Sequence, residues 1–323
     1  MVKLDPRGPE EERLEGRVLR AESGRFLVDV GEHCVPCSLR GRIRKQRLRQ
    51  VRNVVVGDRV LVRLTGTLPH PEREGVIEEL LPRLSQLSRA EAAGARREQV
   101  LMANLDRVFV VMAAAAPSFN PRLLDRFLVA LAHQGLEGVL VLNKCDLCDL
   151  PERLAMVLPY RAAGYGVLMT SAETGEGCER LAEAMQGRVS LALGPSGAGK
   201  SSLLRRVQPG LELSVREISA ATGKGRHTTT ATAMHPLVRG GWVADSPGVR
   251  EFGLWGIAPL ELAACFPEFR PHLDGCRYPD CSHSHEPDCR LRAAVEERAV
   301  DVRRYESYLR ILETIRTGQS SGA

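Results

Sequence analysis

No apolar run in the chain approaches the length of a membrane span, and the acidic start Glu10-Glu11-Glu12 lacks the character of a signal peptide. A soluble protein of the cytoplasm is the expectation. A paired cysteine framework is also missing. Nine cysteines, an odd number scattered over 323 residues, argue for thiols and metal ligation rather than disulfides. Aromatic side chains are scarce where a single-strand-binding surface would need them: Phe26 is the only one among the apparent strands of residues 13–84. Residues 40–52 contain no acidic residue, and nothing in the chain reads L-S-G-G-Q, the signature an ATP-driven transporter subunit would carry. What remains is ample for real cores, since 43% of the residues are hydrophobic and the length suits two or three domains.

The strongest motif is Gly194-Pro195-Ser196-Gly197-Ala198-Gly199-Lys200-Ser201, followed by Ser202, which fits the phosphate-cradling pattern G-x-x-x-x-G-K-[ST]. Val189, Leu191 and Leu193 alternate before it, and a helix-like run from Ser202 to Arg206 follows, so the strand–loop–helix context is present. Glycines let backbone N–H groups converge on phosphate oxygens at a helix N-terminus. Lys200 would add charge at the terminal phosphates and Ser201 would ligate Mg²⁺.

Asn143-Lys144-Cys145-Asp146, at the end of the apolar run Val139-Leu140-Val141-Leu142, supplies the base preference. The Asp146 carboxylate can accept from the ring N–H and exocyclic amine of guanine, a donor pair that adenine does not present. Thr170-Ser171-Ala172 follows it, with Ser171 and Ala172 beside the nucleotide. After the phosphate loop comes Asp245-Ser246-Pro247-Gly248, where Asp245 would hold Mg²⁺ through water and the Gly248 N–H would sense the γ-phosphate. In an ordinary GTPase the phosphate loop comes first, D-x-x-G second and N-K-x-D last. Here the base motif precedes the phosphate loop, so the G domain reads as circularly permuted.

Between these motifs lies Gly223-Lys224-Gly225-Arg226-His227-Thr228-Thr229-Thr230, polar, Gly-rich and without periodicity, which reads as a nucleotide-sensing switch. Thr229 is the favoured Mg²⁺ ligand there. Val249 stands where Ras-like enzymes place the water-orienting glutamine, so intrinsic hydrolysis should be slow, with His227 the nearest substitute in sequence.

Residues 1–12 and 317–323 read as disordered tails. Residues 13–84 show short alternating stretches at 16–19, 25–30, 54–62 and 75–77 separated by Gly and Pro turns, which suggests a small OB-like antiparallel barrel. Arg40, Arg42, Arg44, Lys45, Arg47, Arg49 and Arg52 crowd one stretch of it. Such density attracts polyanions, and the net charge of +5 agrees, which points to the backbone or shape of folded RNA. Residues 85–97 read as a linker and 98–256 as a doubly wound α/β domain, with strands at 107–112 and 166–170 and helices at 121–134, 151–163 and 178–186. The remainder, 257–316, reads as a helical module with helices at 259–266 and 292–315. The second would carry Val295, Val302, Tyr305, Leu309 and Leu312 as its apolar seam.

That module contains Cys276, Cys281, His283, His285 and Cys289 within fourteen residues. Three thiolates and one imidazole close a tetrahedral Zn²⁺ shell with no open position, so the zinc would be structural; spacing alone does not choose between the two histidines. The C-x-x-C pairs Cys34/Cys37 and Cys145/Cys148 are a rival zinc site, disfavoured because the second lies inside the guanine loop.

Taken together the chain resembles the ribosome-small-subunit-dependent GTPases, the RsgA (YjeQ) family, over residues 13 to about 316. The resemblance rests on the barrel, the permuted motif order, Gly225-Arg226-His227-Thr228-Thr229-Thr230 and Cys276-x4-Cys281-x-His283-x5-Cys289. It implies ribosome-stimulated GTP hydrolysis in late small-subunit maturation, rRNA contact through barrel and zinc module, and zinc on Cys276, Cys281, His283 and Cys289, in a chain expected to be monomeric. Ser246 departs from the commoner D-T-P-G, a small change. The alternative is an RNA-binding zinc protein with a regulatory, weakly hydrolysing nucleotide site; a nucleotide kinase would have no need of N-K-x-D.

Overall fold

The computed structural model describes residues 13–31, 33–39, 54–65, 74–90, 98–211, 232–245 and 254–317. Five strands, β1 (Arg13–Glu22), β2 (Arg25–Asp29), β3 (Cys34–Leu39), β4 (Arg59–Thr65) and β5 (Glu74–Leu80), run in the order β1-β2-β3-β5-β4 and close because β1 also pairs β4. This five-stranded barrel keeps β3 and β5 parallel and the other neighbours antiparallel. Val18, Phe26, Val28, Val35, Cys37, Val60, Val62 and Ile77 fill its interior by period-two alternation.

Two of the expectations for this region are corrected. Strand β3 went unread because Pro36 sits inside it, and proline reads as a turn signal. Residues 86–90 of the expected linker form β6 (Gln86–Ala90), which pairs with β7 (Glu98–Ala103) as a separate two-stranded sheet. The Gln134 side chain fixes this hairpin to the G domain, accepting from the Ser88 N–H at 2.6 Å and donating to the Ser88 carbonyl at 3.3 Å.

The α/β domain adds β8 (Arg107–Ala113), α1 (Pro121–His133), β9 (Gly138–Asn143), α2 (Leu150–Ala162), β10 (Gly166–Met169), α3 (Cys178–Met185), β11 (Val189–Leu193), α4 (Lys200–Val207), β12 (Ala233–Pro236) and β13 (Trp242–Asp245). Strand order β10-β9-β8-β11-β13-β12 is parallel except at the β12 edge. Alternate residues of β8 part to opposite faces. Val108, Val110 and Met112 join Leu124, Leu128 and Leu131 of α1, whereas Phe109 and Val111 join Leu181 of α3 and Leu203 of α4. Burial on both faces explains why these strands read as continuous apolar runs. Asn120 caps α1 by accepting the Leu123 N–H at 3.1 Å, with Pro121 in the first turn.

Barrel and G domain share one hydrogen-bonded sheet, because β1 pairs β12 at Arg20 and Ala233. Next to that pairing, the Trp242 Nε1–H donates to Asp29 Oδ2 at 3.2 Å while the Arg17 guanidinium lies 4.9 Å from the Trp242 ring. On the other side of the joint the buried Asp58 takes Arg83 in a bidentate pair at 2.7 and 3.0 Å. Gly57 there has φ +90, and a Cβ would lie 2.0 Å from the Ala103 carbonyl oxygen.

The C-terminal module departs from the expected helices. Residues 259–266 hold only a 3-10 turn, Ala263–Cys265, followed by a second, Pro267–His272, which contains Pro267 and Pro271. The expected helix 292–315 is two helices, α5 (Arg290–Glu296) and α6 (Val302–Thr317). Asp301 restarts the chain by accepting the Arg303 N–H at 2.8 Å. Its buried face is Arg304, Ser307, Tyr308, Ile311 and Leu312, and Val302 is 55% exposed. Of the expected seam, Leu312 is buried and Val295, Tyr305 and Leu309 pack half-buried against the same cluster, so Val302 alone lies off it and Arg304 takes an inward position. Arg304 donates to Glu268 at 2.7 Å and to Asp125 of α1, beneath the rings of Tyr160, Tyr165 and Phe266. Burial opposes its charge, but the two carboxylates prevail and hold its pKa above the ordinary arginine value. A cavity of about 700 Å³ lies between α1, α2 and α6 beside this arginine. Among the described residues no helix is long and apolar enough to cross a membrane.

Candidate active site

The nucleotide motifs meet at the C-terminal ends of the parallel strands, where a doubly wound sheet places its ligands. β11 ends at Leu193 and delivers the loop Gly194 to Gly199 into α4, and β9 ends at Asn143 one strand away, beyond β8. Gly194 and Gly199 are required by space as well as by conformation. At φ +147 a Gly194 Cβ would sit 2.1 Å from the Val111 carbonyl oxygen, and at φ +87 a Gly199 Cβ would sit 2.4 Å from Asn143 Nδ2.

Asn143 is 1% exposed and works as a staple between loops. Its Nδ2 donates to the Ala198 carbonyl at 2.9 Å, and its Oδ1 accepts from Thr170 Oγ1 and the Ala172 N–H, both at 3.3 Å. Base loop, phosphate loop and the Thr170-Ser171-Ala172 stretch are therefore fixed to one another through one side chain. The carboxylate of Asp146, an exposed residue, accepts from the Ser171 hydroxyl, which orients it. Lys144 has φ +60 and donates through Nζ to the Ala116 carbonyl. Cys145 takes part through its backbone alone, because its thiol is buried and donates to the Leu142 carbonyl at 3.2 Å.

In the phosphate loop Ala198 is buried, Ser196, Gly197 and Ser202 are exposed, and Pro195 is half-buried. Lys200 Nζ donates to the Gly194 and Pro195 carbonyls at 2.9 Å each, so the ammonium is folded into the loop it serves. Ser201 Oγ donates to Asp245 Oδ2 at 3.1 Å, which brings together two side chains that sequence placed forty-four positions apart. An oxygen pair at that separation, beside a phosphate cradle, matches the hard donors that a small divalent cation takes.

His227, Thr229 and Gly248 fall outside the described residues, as do Ser246 and the basic residues Arg40, Arg42, Arg44, Lys45, Arg47, Arg49 and Arg52.

A second site lies in the C-terminal module. The ligand atoms of Cys276, Cys281, His283 and Cys289 all lie within 4.8 Å of one another, with His283 Nδ1 at 3.6 Å from Cys276 Sγ and 3.5 Å from Cys289 Sγ. Of the two histidines, His283 faces the cluster and His285 is exposed. Burial lowers the His283 pKa, which favours the neutral ring a metal requires. Burial also pushes the Cys281 thiol up to about 12 despite a helpful backbone N–H from His283. A cation among these groups would supply the charge that thiolates need. The Glu286 carboxylate shapes the loop, accepting from the N–H groups of Ser282, Ser284 and His285 at 2.8, 3.0 and 3.1 Å. Cys34 and Cys37 point to opposite faces of β3, the first exposed and the second buried, so the rival pair cannot chelate together.

Sequence reasoning missed several of these parts. The Asn143 staple was available from N-K-x-D, but only as a base contact. The Lys144–Ala116 contact and the buried Arg304 had no local signal.

A family model described as RsgA GTPase matches residues 80–255. A protein of Gemmatimonas aurantiaca, named small ribosomal subunit biogenesis GTPase RsgA, is 45% identical over 278 residues, covering 86% of this chain and 89% of that one. The protein of the same name from Moorella thermoacetica is 40% identical over 302 residues, 94% of this chain and 97% of its own. Among solved structures, YjeQ from Thermotoga maritima aligns with a TM-score of 0.76 and 34% identity over 94% of this chain and 98% of that one. YloQ, described as a circularly permuted GTPase, aligns at 0.74 and 26% identity over 97% and 99%. A permuted G domain flanked by a barrel and a Cys3His module, matched at this identity over most of its length, belongs to the RsgA GTPase family.

Proposed function

We propose that this GTPase binds the small ribosomal subunit and hydrolyses GTP, stimulated by that subunit, during late subunit maturation. The observation that carries the nucleotide half is the staple: Asn143 Nδ2 on the Ala198 carbonyl at 2.9 Å holds a guanine-reading loop against a phosphate cradle. Asp146, oriented by Ser171, accepts the two guanine N–H groups. Backbone N–H groups of residues 194–202 cradle the phosphates, and Lys200 leaves the Gly194 and Pro195 carbonyls to meet the terminal phosphate oxygens. A bound Mg²⁺ would neutralise charge developing on the phosphates. Ser201 and Asp245 are placed to hold it directly or through water, with Thr229 the third expected ligand. Gly248 would sense the γ-phosphate and His227 would substitute for the water-orienting glutamine that Val249 replaces.

The Cys3His cluster suits structural zinc. Zn–S of about 2.3 Å and Zn–N of about 2.0–2.1 Å at a tetrahedral angle put sulfur and nitrogen roughly 3.6 Å apart. The 3.5 and 3.6 Å separations at His283 agree with that shell. The relatives are named for small ribosomal subunit biogenesis, and binding to that subunit is our reading of that role, supported by the seven basic residues between 40 and 52 with rRNA phosphate as their partner. The chain is proposed to act as a monomer in the cytoplasm.

Equilibrium titration of the Mg²⁺-containing protein with GTP and ATP, followed by turnover of each, tests the nucleotide half. Guanine preference of about 10⁴-fold is expected for a site that hydrogen-bonds the base edge. Equal affinity for both would overturn it.

A further inference from the structure

The stretch 114–120, between β8 and α1, carries no family motif quoted above, yet it lies against the base loop and beside the phosphate loop. The Ala114 N–H donates to the Asn143 carbonyl at 2.8 Å. The Ala116 carbonyl accepts from Lys144 Nζ. Pro117 Cδ lies 3.4 Å from where a Cβ on Gly197 would be. Ala116 has φ +49 and Lys144 φ +60, two non-glycine residues in the left-handed region joined to each other by that hydrogen bond. Such conformations are uncommon and persist where the surroundings over-determine them, often at functional sites.

Phe119 packs the stretch against α2. Its ring meets Tyr160 edge to face, with centroids 6.4 Å apart and planes at 83°. Phe119 lines the 700 Å³ cavity that residues of α6 also line, and Tyr160 in turn lies 5.2 Å from the Arg304 guanidinium. Asn120, the next residue, caps α1 and fixes the other end.

We propose that residues 114–119 are a strap that positions Lys144, with the Ala116 carbonyl as its contact and Phe119 as its anchor, so that guanine-nucleotide affinity depends on an aromatic side chain that touches no nucleotide. The inference rests on the guanine-site reading above. Phe119 is a positioning residue: loosening it frees the Ala116 carbonyl, Lys144 loses its tether, and the base loop spends less time in the binding geometry. Binding suffers more than chemistry, because the phosphate loop and the Ser201–Asp245 pair are held by other contacts.

The test is a double-mutant cycle on the full chain, read as GDP affinity by competition titration, as KM and kcat for GTP, and as the thermal midpoint. Phe119→Ala is expected to weaken GDP and raise KM by roughly tenfold, since small misplacements of binding groups are costly, with kcat within about twofold. Phe119→Leu, which keeps an apolar anchor, should restore most of the affinity. In a Lys144→Ala background Phe119→Ala should add almost nothing, because the residue through which it acts is gone. Phe119→Val, which shortens the anchor while keeping an apolar side chain, should give a smaller loss of the same pattern and carries the cycle if Phe119→Ala does not fold. An equal loss with and without Lys144, or a loss in kcat alone, overturns the strap. If wild type binds ADP as tightly as GDP, the guanine-site reading fails instead.

Discussion

Asp146 and Gly199 show two ways in which a single residue can be indispensable. Asp146 matters for its acceptor character. Asp146→Asn keeps the size and can still accept from Ser171, but turns a donor toward the guanine donors. GTP affinity should fall by about a hundredfold or more while xanthosine triphosphate, which offers a carbonyl there, gains. Competition binding with both nucleotides reads the result, and unchanged GTP affinity would remove Asp146 from the base site. Gly199 matters for having no side chain. Gly199→Ala drives a methyl to 2.4 Å from Asn143 Nδ2 at φ +87, so the staple to Ala198 must break. Nucleotide binding should be lost while the fold survives, because Asn143 and the loop can part without disturbing the strands. Circular dichroism alongside titration checks both halves, and full affinity in a folded Gly199→Ala protein contradicts the stapling role.

At the scale of elements, α6 joins the Cys3His loop to the G domain. Three neighbouring residues of the helix divide the work: Arg304 reaches Asp125 and Glu268, Tyr305 donates to the His283 carbonyl at 2.8 Å, and Tyr308 donates to the Ser282 carbonyl. Removing the buried guanidinium leaves two carboxylates without their cation. Arg304→Ala should therefore destabilise by about 3–5 kcal/mol in chemical denaturation, and Arg304→Lys should rescue only in part because one ammonium cannot fork to both. Loss under 1 kcal/mol would mean that the aromatic surroundings, not the ion pairs, hold the joint. On the metal side, protein purified without chelators should carry about one zinc, lost in Cys276→Ser or Cys289→Ser, with the C-terminal module loosened. GTP binding should persist in these variants, since the G domain has its own core on both faces of its sheet. Metal analysis that finds no zinc would remove the cluster from the account.

These elements also mark how far the sequence could be read. The phosphate loop, N-K-x-D and the Cys3His run were legible because their chemistry is local and flanking periodicity placed them at strand ends. The barrel was legible as a class, but β3 was hidden by Pro36 and the hairpin β6–β7 by the polar look of residues 85–97. Arg304 was unreadable because its burial depends on Asp125, 179 positions away, and on Glu268. The strap was equally unreadable, since Ala-Ala-Ala-Pro carries no chemistry until Lys144 is folded against it. Local motifs announce a site, whereas the long-range pairs that position it do not.

For the whole molecule, the permutation decides which parts can be coupled. With the base motif first, β13, which ends at Asp245, is the last described strand before the C-terminal module in sequence, and β12 joins the barrel's β1 in one sheet. Both flanking modules thus connect to the G domain at β12 and β13, the barrel by strand pairing and the C-terminal module by chain order. A form truncated after residue 256 would uncover Val129 and leave Asp125 without Arg304, so the full chain is the right object for study. By linkage, if the GTP form binds the subunit better, the subunit must tighten GTP binding by the same factor. The most direct measurement is GTP turnover by the intact protein titrated with small ribosomal subunits, with large subunits as control. The account predicts slow hydrolysis alone, a rise by at least tenfold that saturates with small subunits, and no rise with large ones, a tenfold change being about 1.4 kcal/mol in the barrier. A rate unchanged by small subunits would contradict it and leave a nucleotide site that works without its proposed partner.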